Sequence, residues 1–152
     1  MVAFRLQAVL NVRKIEEEKI QGQLARLVKA VLEAERHLNF FRLKKMQTQR
    51  ILHEKQKEGI RGFELTLYHA YLRELSDRIA EQKSTLRQLE NERDKVREKL
   101  IEASKKRKML EKLKEKRLLM ALSEEMRQHQ NFIDEIGITR HTRNATGESK
   151  GM

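Results

Sequence analysis

The residues able to carry catalysis or hold a metal are five histidines, His37, His53, His69, His129 and His141, and carboxylate runs such as Glu16-Glu17-Glu18 and Glu124-Glu125. Two imidazoles one helical turn apart, with a carboxylate between them, would hold zinc. A carboxylate desolvated beside a second one would serve as a general acid. The histidines are scattered and form no His-Glu-x-x-His, and the carboxylates fall among lysines and arginines on what reads as open helix surface. Cysteine is absent, which removes thiolate chemistry, thiolate metal sites and disulfides, and suits a reducing compartment. No glycine-rich phosphate loop is present. The sequence predicts no catalytic centre, no metal site and no cofactor.

What remains is charge. The net charge is +11 and the pI is near 10.0. Residues 42–61 hold seven bases (Arg42, Lys44, Lys45, Arg50, Lys55, Lys57, Arg61) against Glu54 and Glu58. Residues 105–117 hold eight (Lys105, Lys106, Arg107, Lys108, Lys112, Lys114, Lys116, Arg117) against Glu111 and Glu115. Such stretches attract an acidic partner: nucleic acid, an anionic membrane or an acidic protein face. They are equally compatible with a solvated helix face. Against nucleic acid stand the lack of a recognisable binding module and the few aromatics available for base stacking.

The elements that carry these residues follow from punctuation and period. Proline is absent, and glycine is absent from 23–58 and from 63–136. Two long helices are expected, of ~55 and ~70 residues, or roughly 80 and 110 Å at the helical rise. In the first, a row spaced alternately by three and four reads Leu6, Leu10, Arg13, Glu17, Ile20, Leu24, Leu27, Val31, Ala34, Leu38, Phe41, Lys45, Thr48, Leu52. In the second it reads Leu65, Tyr68, Leu72, Leu75, Ile79, Gln82, Leu86, Leu89, Arg93, Val96, Leu100, Ala103, Arg107, Leu110. Mostly apolar rows sustained this long indicate a coiled coil.

Gly59 is placed to adopt the left-handed conformation that ends a helix, and Gly62 lets the chain reverse. The expected fold is all-α: an antiparallel two-helix coiled-coil hairpin with helices over 2–58 and 64–136 and a turn at 59–63. Residue i of one helix should face roughly residue 121 − i of the other, placing Phe41 near Ile79, Val31 near Leu89 and Leu10 near Leu110. The first helix then runs out near residue 118, so 118–136 overhangs with an apolar stripe of Leu119, Leu122, Met126, Ile133 and Ile136. An exposed stripe of this kind has a partner as a rule. Residues 137–152, polar and containing Gly, Ser, Thr and Asn, read as a disordered tail. No apolar run reaches the ~18 residues of a membrane span, and a signal-peptide core is not expected.

The run Phe4-Arg5-Leu6-Gln7-Ala8-Val9-Leu10-Asn11-Val12-Arg13, followed by Glu16-Glu17, resembles the opening of the FliJ family of flagellar type III export proteins. Lys105-Lys106-Arg107, then Leu110-Glu111-Lys112-Leu113 and finally Asp134-Glu135, are similar to that family's second helix, so the likeness covers residues 4–136. The resemblance implies an antiparallel two-helix coiled coil like the central stalk of rotary ATPases. It implies insertion into the hexameric export ATPase ring, promotion of ring assembly and activity, engagement of the cytoplasmic domain of the export gate, and a link to export chaperones. The setting implied is the cytoplasm, at the cytoplasmic face of the membrane.

Carried onto this chain, ring contacts would come from Phe4, Leu6, Leu10, Arg13, Lys112, Lys114, Lys116, Arg117, Leu119, Leu122 and Met126. Gate contacts would come from His37, Phe40, Lys44 and Tyr71. Lys44 and Thr48 stand where related chains can carry aromatics, which is a departure at the gate-facing surface. Two other functions fit a basic hairpin: a prefoldin-like holdase or scaffold, and, less well, a nucleic-acid-binding coiled coil.

Overall fold

The computed structural model describes residues 2–149, with the side chains of 5–145. Two helices account for almost all of it, α1 over Val2–Glu58 and α2 over Gly62–Ser149, packed against each other as a helical hairpin with no strand among the described residues. Lys55 and Lys57 lie in the last turn of α1 and Glu64 in the first turn of α2, each opposing the local end of the helix dipole. Between them Gly59 takes φ 98, a backbone conformation that glycine adopts without steric cost. The Leu65 amide then donates to the Arg61 carbonyl at 3.0 Å, closing the first turn of α2.

The chain divides into two compact units, 15–104 and 1–14 with 105–152. In the first, the α1 portion runs antiparallel to the α2 portion across the glycine turn. Its most buried side chains are Val31, Ala34, Leu38, Leu52 and Leu75, at 4–6% exposure. Two polar residues share that seam. The Glu17 carboxylate, 7% exposed, accepts a 2.8 Å hydrogen bond from the Ser104 hydroxyl. Thr48, also 7% exposed, donates to the Lys44 carbonyl at 2.8 Å, so its hydroxyl is satisfied within its own helix.

In the second unit the start of α1 packs on α2 through Leu6 and Leu10, the latter 2% exposed. Lys114 donates to the Gln7 side-chain oxygen across this pair. The cross-helix hydrogen bonds Glu17–Ser104 and Gln7–Lys114 each join residues whose numbers add to 121, the register read from the apolar rows. Every residue of both rows is buried or half-buried. A period of 3.5 residues keeps one face turned to the partner, so alternating steps of three and four pick out the covered positions.

The far end of α2 differs from expectation. The sequence places the helix end at Ile136 and a disordered tail from Gly137, yet α2 continues to Ser149. A lone glycine inside a helix costs only about 1 kcal/mol, and no proline follows to stop it. The Thr139 and Thr142 hydroxyls donate to the Glu135 and Ile138 carbonyls at 2.8 and 2.9 Å, one turn back on the same helix. The start of α2 also falls earlier than expected, at Gly62.

Candidate functional site

No group of three or more histidine or acidic side chains at metal-holding distance occurs among the described residues. No described helix is long and apolar enough to cross a membrane. The features able to act are surfaces, and each unit carries one.

In the unit formed by 1–14 and 105–152, basic charge is concentrated where the two helices pair. Residues 1–14 contain Arg5, Arg13 and Lys14 and no acid, while 105–117 contain eight bases and two acids. These two stretches together carry a net charge of +9, against +5 for residues 42–61. Arg107 donates from one guanidinium nitrogen to both carboxylate oxygens of Glu111, at 2.9 and 3.0 Å. Lys112, Lys114, Lys116 and Arg117 are exposed.

Beyond them the cover ends. Every described side chain in 112–145 is exposed, including Leu119 at 60%, Leu122 at 50% and Met126 at 73%. Val2, where α1 starts, pairs by register with residue 119, so α1 leaves the rest of α2 uncovered. Leu119, Leu122, Met126, His129, Ile133 and Ile136 continue the three–four spacing, but roughly half a turn away from the row of Ala103, Arg107 and Leu110. The exposed row thus faces away from the side on which α1 lies, and a different partner would be needed to bury it.

Leu6 and Leu10, expected to contact a ring, lie inside the seam, and Arg13 is half-buried. The Phe4 side chain lies outside the described residues. Lys112, Lys114, Lys116, Arg117, Leu119, Leu122 and Met126 share one end of α2 and are open to solvent. Met109, Met120 and Phe132, each at least 60% exposed, also stand open on α2. These residues sit off both rows, so periodicity gives no cue to them.

In the unit formed by 15–104, His37, Phe40 and Lys44 share one exposed face of α1 by their spacing of three and four. Phe40 stays 56% exposed while its ring meets the half-buried Phe41 edge-on, centroids 5.6 Å apart. Tyr71, 41% exposed, belongs elsewhere: by register it faces residue 50, about 9 Å along the helix from Lys44. It lines a shallow depression with Glu64, Leu67 and Tyr68. The Tyr68 ring carries the Lys55 ammonium 5.2 Å above its centroid, and the hydrogen bond to Tyr68 pushes the Lys55 pKa up. A second groove, lined by Arg42, Lys45, Met46, Gln49, Ile79 and Lys83, runs along both helices. Thr48 is a covered seam residue and offers no surface.

A family model described as Flagellar FliJ protein matches residues 1–146. No curated protein and no solved structure matches the chain.

Proposed function

Since the chain belongs to the FliJ family of flagellar export proteins, we propose that it works as a non-catalytic stalk and adaptor of the flagellar export apparatus. The 1–14 and 105–136 end enters the hexameric export ATPase ring and promotes its assembly and activity. The face of His37, Phe40 and Lys44, together with Tyr71, engages the cytoplasmic domain of the export gate, at the cytoplasmic face of the membrane. Export chaperones are further partners at this level of the reading.

One observation carries the polarity of this reading: basic side chains and an uncovered apolar row follow each other on the same stretch of α2. A ring with an acidic lining would draw in the lysines and speed encounter more than it would add net affinity. The burial would come from Leu119, Leu122 and Met126, about 1.5–3 kcal/mol for each side chain fully covered. A helical stalk has no pocket in which to exclude water around a reacting group, so its part is to bind and position.

The test is a pair of retention experiments on immobilised full-length chain. Leu122→Glu with Met126→Glu should release the export ATPase and keep the gate domain, while Phe40→Ala with Tyr71→Ala should do the reverse. The opposite pattern overturns the assignment of ends.

A further inference from the structure

We propose that the exposed row of α2 over residues 119–136 is also a self-association face, on which a second copy of this chain docks antiparallel. This goes beyond the adaptor reading and stands without it.

Of the six positions in the row, five are apolar, and their exposures run from 39% at Ile136 to 73% at Met126. The sixth is His129. The opposite side of the helix is already served by its own side chains. Arg127 pairs with Glu124 at 2.8 Å, and Gln130 donates to Asp134 at 3.2 Å. The polar side therefore needs no partner, whereas the apolar row has none. Residues 118–136 carry no cluster of lysines or arginines of the kind that holds a helix to an anionic lipid surface, while over the whole docked span 115–140 five acids stand against four bases, so two copies bring little net charge together. A second amphipathic helix fits it better than a bilayer.

The row is complementary to itself. With a twofold axis passing between Arg127 and Gln128, Leu119 meets the other copy's Ile136, Leu122 meets its Ile133, and Met126 meets its His129. The next position outward at each end brings Glu115 of one copy against Arg140 of the other, giving two ion pairs that close the apolar stretch. A parallel alignment loses all of this. It would set Glu115 on Glu115 and Arg140 on Arg140, and like charges placed opposite one another are unfavourable. Charge therefore selects the antiparallel arrangement, an isologous contact of the kind that closes at two copies. Because the face is the one assigned to the ATPase ring, dimer formation and ring entry would exclude each other, and the dimer would be a storage form.

Sedimentation velocity of the full-length chain tests this directly. A shift from monomer to dimer is expected on the order of tens of micromolar, as suits a short, partly polar coiled-coil contact. Leu122→Glu should weaken it more than tenfold without loss of helical signal, and Phe40→Ser should leave it unchanged. Glu115→Arg should weaken it, and adding Arg140→Glu should restore it. Since the chain has no cysteine, one can be placed at will. Met126→Cys, beside the twofold, should be joined by a short bismaleimide, while Leu119→Cys should not, its two copies lying about 25 Å apart. A chain that stays monomeric to about tenfold above that range overturns the proposal, as does a dimer that survives Leu122→Glu or cross-links equally at both cysteines. Monomeric chain whose ATPase retention still depends on Leu122 would leave the adaptor reading in place and remove this one.

Discussion

Glu17 sits in the seam at 7% exposure, and the Ser104 hydroxyl donates to it at 2.8 Å. A covered carboxylate is retained at a cost in desolvation, and replacing such a polar contact by a well-packed apolar one is often neutral or better. Ser104→Ala should therefore lower stability by about 1 kcal/mol, because it takes one hydrogen-bond donor away from the covered carboxylate. Glu17→Leu should leave the denaturation midpoint unchanged or raise it. A Glu17→Leu variant less stable than Ser104→Ala would show that the carboxylate does more than occupy a seam position. That Glu17 is covered was legible from its place in the three–four row, and so was the residue it faces. Its hydrogen bond was not, because a serine one position off the row gives no periodic signal.

At the scale of the element, the two rows and their register were readable because charged and apolar residues alternate with a period that only one helix face satisfies. Leu27→Asp or Leu89→Asp should destabilise the hairpin far more than Glu33→Ala. The leucines are half-buried in the seam while Glu33 is exposed, and a buried unpaired charge must be desolvated. Equal melting temperatures for these variants would contradict the register. The turn makes a separate prediction. Gly59 at φ 98 has open space where a Cβ would stand, so Gly59→Ala costs only its backbone strain, about 1–2 kcal/mol. A thermal midpoint unmoved by Gly59→Ala would mean that the turn relaxes into another conformation. The end of α2 was the element least legible. Gly137 and the polar residues after it look like punctuation, but a glycine ends a helix only where the backbone turns left-handed, and Gly137 is helical.

For the whole molecule, the family match over residues 1–146 gives a role in flagellar export, and the distribution of charge and cover supports the finer reading of which end does what. The stretches 1–14 and 105–117 together carry a net charge of +9, and the uncovered apolar side chains follow directly after the second of them. Periodicity revealed the overhang because α1 is too short to pair with it; the partner proposed for it rests on the family resemblance carried by the N-terminal motif and not on any spacing. If electrostatic attraction brings this end to its ring, association should slow as salt rises towards physiological strength, with dissociation much less affected. The most direct measurement is the hydrolysis rate of the export ATPase titrated with the full chain and with a chain truncated after Arg117. The truncated chain should retain the helical signal and cooperative melting of the hairpin and fail to stimulate hydrolysis. Full stimulation by the truncated chain would contradict the account, because it would move the ring contact away from Leu119, Leu122 and Met126.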